Sequence, residues 1–549
     1  MVNKINLDLS VTDQFLLMDC GSTTTKALLF SNNDSKWSLN GIVNTPTTVE
    51  APNNDVTIGV NNSINQMHVA SNAKFIGLDK IPFIATSSAG GGLQIAVIGL
   101  TSEISTAAAY KTALNSGAIV SLVCSADDEL LFSQKVKQLQ SIKPDMIILA
   151  GGLEDATPLA TIDTISIIKE AKLKPRYGAE NKLPLIYCGT SSYSNLVESE
   201  LGQLYEVNII PNLLSLDFSS PNDNQLKQSI QDLFLSTVMH HAPGYSKLCQ
   251  LVTQPIMPTP MAVTKIIQSL SDLNNQSVLA VDIGGATTDI YTVFTDREKI
   301  VQRSVSANFG MSYSAASVLN AAGLASISEH CPDFISQSQI ETYIWNKTLY
   351  PTSVPTDELS IKIEQALCIS ALKLSYLAHR QVCGSTFPMQ PNFDFCIASG
   401  GVLSHAPDLN VVPWIMADGF NLVGVSQIAV DKVFMMPHLG ALSEVDKQIA
   451  STLLFQECLV PLCWLVGAIS AKKLKKGSSL AKVYIEDNLK AEIIVGNRDV
   501  LPLEINHNQN ITVRPINRHI DCGAGKGNEF KYTFKSSSNL PLYLDGARC

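Results

Sequence analysis

Paired cysteines are missing from this chain. Its twelve cysteines lie singly along 549 residues, with no C-x-x-C pair and no regular framework. A disulfide-stapled secreted scaffold and a thiolate metal site both depend on such spacing, so the expectation is reduced thiols, several of them packed as small core residues (Cys124, Cys188, Cys396). The nine histidines show no metal-ligand spacing either, and the adjacent His240 and His241 would point apart on a helix. Long apolar runs are also absent. The most apolar stretch, Leu459 to Ile469, is interrupted by Pro461 and is too short to cross a bilayer. The first residues show no basic segment followed by an apolar one, so a soluble, cytoplasmic protein without membrane attachment is expected. Positive charge is in deficit: the net charge is −10, which argues against general binding to nucleic acid or anionic membranes but leaves room for a local basic cleft. Low-complexity tracts and short-period repeats are not found.

What is present is a well-buried globular composition, 45% hydrophobic and 16% charged, in a chain long enough for two to four domains. Three glycine-rich segments stand out: FLLMDCGSTTTKALLF (Phe15 to Phe30), VLAVDIGGATTDIYTV (Val278 to Val293) and FCIASGGVLSHAP (Phe395 to Pro407). Each begins as an apolar run suited to a buried strand and breaks at glycine. The first two place an aspartate at the end of the run, then Gly, then a hydroxyl cluster. Two such hairpins supply what a nucleoside triphosphate with Mg²⁺ needs. Glycine lets backbone N–H groups approach phosphates, hydroxyls donate to them, and carboxylates hold the hydrated metal.

Between the first two segments the pattern changes. TTVEAPNNDVTIG (Thr47 to Gly59) alternates and turns like a hairpin, which extends an opening run of strands to about Gly59. From Phe83 onward, five apolar runs (LQIAVIGL, GAIVSLVC, DMIILAGG, LPLIYCG and LYEVNIIP) alternate with helix-length stretches, the pattern of parallel βαβ crossovers. The stretch Ile361 to Arg380 reads as an amphipathic helix. Beyond Ala471 the runs become short and alternating, as in a small β domain.

These segments resemble the phosphate-1, phosphate-2 and adenosine motifs of the actin, Hsp70 and sugar-kinase superfamily. With TTVEAPNNDVTIG, TSSAGGGLQIAVIGL (Thr86 to Leu100), IILAGGLED (Ile147 to Asp155), PIMPTPMAV (Pro255 to Val263) and a closing GKGNEFKYTF…YLDGAR, the chain resembles the MutL (GlmL) family. That family is encoded beside coenzyme-B12-dependent glutamate and ornithine mutases and is unrelated to the mismatch-repair protein of the same name. The resemblance implies an α/β fold: a two-lobed actin/Hsp70-like (ribonuclease H-like) ATPase core, an inserted Rossmann-like α/β domain and a small C-terminal β-rich domain. The expected division is 12–84 for the first part of lobe I, 85–212 for the insertion, 213–275 for a helical return and linker, 276–452 for lobe II, and 453–549 for the β-rich domain.

The same resemblance implies the site. Asp19 would hold Mg²⁺ through water, with Gly21, Ser22, Thr23 and Thr24 presenting amides and hydroxyls to phosphates. Lys26 would neutralise phosphate charge, against the alternative of a solvated lysine on a strand. Asp282 would face Asp19, orienting the attacking water or the metal's water shell. Gly284 and Gly285 would make the close approach, Thr287 would reach the γ-phosphate, and Asp289 is a second carboxylate candidate. Ser399, Gly400 and Gly401 would take the adenosine, while His405 reads as a loop or helix-start residue. Asp19, Asp282 and Thr287 are thus the catalytic candidates.

Two further glycine clusters stay open. Ser87 to Gly92 fits either a phosphate cover or a hinge, and Gly151-Gly152 fits either a ligand edge or a tight turn. Gly523 to Gly527 lacks the P-loop spacing and sits between strands, so a surface turn is expected.

The implied function is an ATP- and Mg²⁺-binding, slowly hydrolysing accessory protein. It would reactivate or chaperone a coenzyme-B12-dependent mutase, binding the subunits of that enzyme. The alternatives are a small-molecule kinase of the sugar-kinase type and a nucleotide-binding interaction protein without turnover. A homo-oligomer stays open, and the inserted segment lacks a D-x-H-x-x-G cobalamin signature.

Overall fold

The computed structural model describes residues 9, 12–21, 24–33, 36–49, 52–71, 74–88, 93–116, 118–151, 159–175, 181–214, 223–234, 243–296, 299, 301–534 and 538–547. They form two compact units, Met1–Ile266 with Met436–Leu453, and Ile267–Met435 with Leu454–Cys549. The segment Met436–Leu453 therefore belongs to the first unit, although it lies inside the stretch 276–452 expected for lobe II. Its helix Met436–Leu442 packs on strands of that first unit. Among the described residues, no helix is long and apolar enough to cross a membrane.

The first unit opens with three antiparallel strands, β1 (Gln14–Cys20), β2 (Thr24–Asn33) and β3 (Lys36–Pro46). Next, β4 (Phe83–Ser87) lies parallel to β1, with Asp19 opposite Thr86. The chain then leaves this sheet to build another from β5 (Gln94–Gly99), β6 (Ile119–Ser125), β7 (Met146–Ala150), β8 (Leu183–Tyr187) and β9 (Tyr205–Ile209). It returns as β10 (Met257–Pro258), parallel to β4. The first sheet has the order β10-β4-β1-β2-β3, and the inserted sheet is all parallel in the order β6-β5-β7-β8-β9.

Two expectations need correcting here. β4 pairs with β1, so the insertion starts after Ser87 rather than at residue 85; an apolar run does not reveal which strand it pairs with. The supposed hairpin over 47–59 is instead a loop and the start of a helix, Val56–Ala70. Asp55 caps that helix, accepting hydrogen bonds from the Thr57 amide at 2.9 Å and the Thr57 hydroxyl at 2.5 Å. This capping outweighs the β preference of Val56, Thr57 and Ile58.

The inserted sheet is buried on both faces, as its near-continuous apolar strands require. Ile95, Val97, Met146 and Ile148 pack in the same cluster as Leu16, Met18 and Phe83 of the first sheet. Their neighbours Ala96, Ile98, Ile147 and Leu149 point into a second cluster with Ile165, Ile168, Val197 and Leu201. The insertion thus shares one of its two cores with the rest of its unit.

The second unit repeats the opening plan. β11 (Val278–Ile283), β12 (Thr288–Val293) and β13 (Gln302–Ser306) are antiparallel, and β14 (Phe395–Ser399) and β15 (Gly424–Asp431) follow parallel to β11. The order β13-β12-β11-β14-β15 matches β3-β2-β1-β4-β10 in sequence order and in strand direction. This duplicated plan is the ribonuclease H-like core of the actin and Hsp70 fold, with a Rossmann-like domain inserted in the first copy. The 26-residue helix Glu358–Cys383, capped by Asp357, covers the second sheet.

After β16 (Leu459–Gly467) come β17 (Ile469–Ser470), β18 (Ser479–Ile485), β19 (Asn488–Ile494), β20 (Arg498–Leu501), β21 (Asn510–Pro515), β22 (Ile520–Asp521), β23 (Phe530–Thr533) and β24 (Leu542–Asp545). Only β19-β18-β21-β23 form the small antiparallel sheet, whereas β16, β24 and β20 extend the core sheet beyond β15. The β-rich C-terminal domain exists, but three strands from 453–549 belong to the ATPase-like sheet. Pro461 is tolerated in β16 because the ladder with β15 bulges beside it, between Ile428 and Ala429.

The shared core yields a test. Ile148→Ala should destabilise the first unit by ~2–5 kcal/mol, the range for emptying a fully buried aliphatic site. With the other three tryptophans replaced by Phe, Trp37 in β3 should report the same shift in urea midpoint as far-UV circular dichroism of the unit. An unmoved Trp37 transition would show that the insertion unfolds separately.

Candidate functional site

The two hairpins share a turn bond and a strand register. In the first, the Gly21 amide donates to the Thr24 carbonyl at 3.0 Å; in the second, the Gly284 amide donates to the Thr287 carbonyl at 2.8 Å. Each turn follows an aspartate two residues before the glycine. Asp19 stands opposite Lys26 across the first hairpin, and Asp282 opposite Asp289 across the second. On its other side each aspartate meets a hydroxyl residue from a parallel strand: Thr86 beside Asp19, Ser399 beside Asp282.

Asp19 is half-buried, and its Oδ1 accepts two short bonds, from the Thr86 and Thr259 hydroxyls, both at 2.6 Å. Two donors on one oxygen fix the carboxylate rotamer. The turn itself is tied down by Thr47, whose hydroxyl donates to the Gly21 carbonyl at 2.8 Å and bonds Thr25 at 2.9 Å. Thr47, Thr86 and Thr259 had no role in the sequence reading. All three lie in stretches that carried the family resemblance, yet a threonine gives no sign of its partner until strands pair. Ser22 and Thr23 lie outside the described residues, as do Ala89 to Gly92, Gly152, His240 and His241.

In the second hairpin, Asp282 is reached by solvent yet crowded by protein. That crowding, and the charges of Asp289 and Asp431, raise its pKa to about 7, against the lowering effect of the Ser399 hydrogen bond. Asp289 is committed elsewhere. Its Oδ1 accepts from the buried Arg303 guanidinium at 2.6 and 3.0 Å. Asp289 is thus an ion-pair partner in the hairpin wall. Sequence alone could not foresee this, because Arg303 arrives on β13, opposite Tyr291 and diagonal to Asp289.

Backbone approach explains the glycines. A Cβ on Gly400, where φ is +106°, would lie 2.1 Å from the Ile283 carbonyl oxygen, so the turn after β14 abuts the end of β11. Gly310 behaves likewise: a Cβ there would sit 2.4 Å from the Ala286 carbonyl carbon. The Gly310 segment cradles the second turn, with the Ser312 amide donating to Gly285 at 2.9 Å and the Ser314 hydroxyl to Ala286 at 2.7 Å.

Beside these turns, within the second unit, is a pocket of about 340 Å³. Its walls include Gly284, Gly285, Gly401 and Val402 from the two motifs, and His405, which follows the short helix Gly401–Ser404. Its far side carries Gln365 and a buried ion pair between Lys347 and Glu364 at 2.7 Å. Pockets of this size and mixed lining suit a small organic ligand. Lys347, Glu364 and Gln365 were not singled out in the sequence, since their helices carry no motif.

The other glycine clusters resolve differently. Gly151 meets Gly189 so closely that a Cβ on either would lie 2.5 Å from the other's Cα, which accounts for glycine at the ends of β7 and β8. At Gly523 to Gly527 the Asp521 carboxylate already fills the turn, accepting from the Gly523 and Gly525 amides at 2.8 and 3.1 Å. That is the expected turn and no phosphate loop.

Comparison with known proteins follows the same line. A family model described as MutL protein matches residues 15–458. A curated Protein MutL from Clostridium tetanomorphum is 26% identical over 472 residues, covering 79% of this chain and 96% of that protein. Among solved structures, a gluconate kinase from Lactobacillus acidophilus aligns over 82% of this chain and 93% of its own, at 12% identity and a TM-score of 0.33. A diol dehydratase-reactivating factor in nucleotide-free form aligns over 79% and 99%, at 9% identity and a TM-score of 0.33. A glycerol dehydratase reactivase aligns over 78% and 99%, at 10% identity and a TM-score of 0.31.

The raised pKa of Asp282 predicts a pH dependence. In metal- and nucleotide-free protein the native state holds a proton that the unfolded chain has released, so this contribution to stability is complete below the ordinary carboxylate pKa and is lost as pH rises through about 7. Asp282→Asn should flatten that decline, so that its stability advantage over wild type grows from about pH 4 to about pH 7. Urea midpoints across that range measure it, and parallel pH profiles for the two proteins would refute the assignment.

Proposed function

This chain belongs to the MutL protein family, and from that premise we propose that it binds ATP with Mg²⁺ and serves as an accessory protein to a coenzyme-B12-dependent mutase. The observation that carries the nucleotide reading is the duplicated hairpin. Each copy has an aspartate held beside a neighbouring-strand hydroxyl and a Gly-to-Thr turn bond, and the second adjoins a pocket of about 340 Å³. Asp19 fits a cation gripped through water, because Mg²⁺ keeps most of its own shell and needs few carboxylates. Mg²⁺ would neutralise charge on the phosphates. In the first unit Gly21, Thr24 and Lys26 are the phosphate-binding candidates, and in the second unit Gly284, Gly285 and Thr287 are. Ser22 and Thr23 complete the first set. The adenosine would lie against Ser399, Gly400 and Gly401, with the Lys347–Glu364 pair at the other wall of the pocket.

Asp282, with its pKa near neutrality, is suited to orient the attacking water and to take up a proton during slow hydrolysis.

Asp19→Ala and Asp282→Ala should each lower ATP turnover by at least ~10²-fold, the scale on which a positioned electrostatic contact is lost. Single-turnover hydrolysis of labelled ATP checks this, and unchanged rates in both variants remove the site.

The client follows from the sequence resemblance to proteins encoded beside glutamate and ornithine mutases. Such mutases work through radicals and can be stranded with damaged cofactor in a tight complex. Releasing it suits a nucleotide-gated element with two states in the cytoplasm. For a useful bias the mutase must prefer one nucleotide state by ~1–3 kcal/mol, and by linkage it must change ATP affinity equally. Titration of inactivated mutase should therefore shift the dissociation constant of a fluorescent ATP analogue, and ATP should restore mutase activity. If neither occurs, the mutase reading fails and the small-molecule kinase alternative takes its place.

A further inference from the structure

The inserted domain has the strand order 2-1-3-4-5 of doubly wound folds, which bind ligands at the carboxyl ends of the strands on either side of the order reversal. Here that crevice lies beyond β5 and β7, and its anion position is already taken. The Asp127 carboxylate accepts from the Ser102 amide at 2.9 and 3.1 Å and from the Ser102 hydroxyl at 3.3 Å, at the start of the helical segment that follows β5. A second donor, the Ser105 amide, is satisfied by the Thr101 hydroxyl. At β7 the Gly151–Gly189 contact brings backbone against backbone. Among the described residues, the Ser102 and Ser105 amides are therefore already bonded within the protein.

The same edge carries an exposed apolar display. Leu131 is 67% exposed and Phe132 49%, and Ile104, Val123 and Leu130 beside them are also exposed. These side chains sit on a loop that is rigidly built. Lys135 is buried, and its ammonium donates to the Ser125 carbonyl at 2.7 Å and the Ala126 carbonyl at 3.2 Å, and pairs with Asp128 at 2.7 Å. Asp128 in turn accepts from the Ser125 and Leu130 amides. Burying an ammonium is costly unless every donor is used, and here the return is a fixed loop that turns its apolar residues outward. Exposed apolar groups on a fixed loop mark a contact surface.

Charge selects the partner. Glu103, Asp127 and Glu129 are exposed in these segments; Lys135 is buried and paired, and Lys137, further along the helix Phe132–Gln140, is the exposed cation that follows. An acidic rim repels anionic membranes and a second copy of this chain, whose net charge is −10. We propose that residues 126–132, with Ile104 and Val123, form a docking surface for a protein segment of the client enzyme that carries apolar side chains flanked by lysine or arginine. This deepens the accessory-protein reading and rests on it only for the identity of the client.

The test uses the full chain and two variants, Leu131→Ser/Phe132→Ser and Glu103→Lys/Glu129→Lys, whose changed side chains are exposed. Fluorescence anisotropy with a labelled leucine–lysine amphipathic peptide should show binding to wild type and at least tenfold weaker binding to each variant, with no binding of the leucine–glutamate counterpart. Failure of wild type to bind the basic peptide, or equal binding by all three proteins, overturns the surface. Purified mutase subunits from the source cell form a second arm. Loss of their binding in both variants supports the proposal, and equal binding to wild type and variants overturns it. If the peptide results hold while no mutase subunit binds wild type, the surface stands and the mutase reading is the one that falls.

Discussion

Everything in the candidate site depends on the register between each hairpin and the parallel strand beside it. Because β4 runs alongside β1 with Thr86 opposite Asp19, a hydroxyl falls within 2.6 Å of the carboxylate. Because β14 runs alongside β11 with Ser399 opposite Asp282, the second aspartate gains the same kind of neighbour. A slip of one residue would turn both side chains to the other face of the sheet and leave each aspartate without its donor. The Gly400 contact guards that register in the second unit. Any side chain there would collide with the Ile283 carbonyl, so the turn after β14 seats against the end of β11 only with glycine at this position.

The two copies have diverged where charge matters. The position opposite Asp19 is Lys26; the equivalent position opposite Asp282 is Asp289, held by the buried Arg303. One hairpin therefore places a cation beside its aspartate. The other places a carboxylate there, and together with Asp431 and the crowding it lifts Asp282 toward a pKa of about 7. One fold, used twice, thus provides two aspartates with different neighbours, the second lifted toward neutrality by burial and by the charges beside it.

The insertion is integrated with its host rather than strung onto it. Period-two alternation along β5 and β7 sends Ile95, Val97, Met146 and Ile148 into the core of the first sheet and their neighbours into the insertion's own core. A force on the loop at 126–132 thus acts on a sheet that shares side-chain packing with β1, which carries Asp19. That physical continuity links the proposed docking surface to the hairpin that carries Asp19 within one unit.

Much was legible before any coordinates. The apolar runs ending in Asp-x-Gly marked β1 and β11, five further runs marked the strands of the insertion, and the motifs carried the α/β class and the family. These signals are local: they depend on periodicity and on residues that turns demand. What the sequence left undetermined was pairing. It placed residue 85 in the insertion although β4 belongs to the core, and it assigned β16, β20 and β24 to a separate domain although they extend the core sheet. It gave no sign of the Arg303–Asp289 pair, because Arg303 is brought beside Asp289 only when β13 pairs with β12. It passed over Thr86, Thr259, Lys347 and Glu364, whose roles arise from partners far along the chain. A sequence fixes which residues favour a strand, a turn or a cap. Only the folded chain decides which of them meet, because a hydrogen bond or ion pair between distant residues exists only once the strands and helices that carry them have packed.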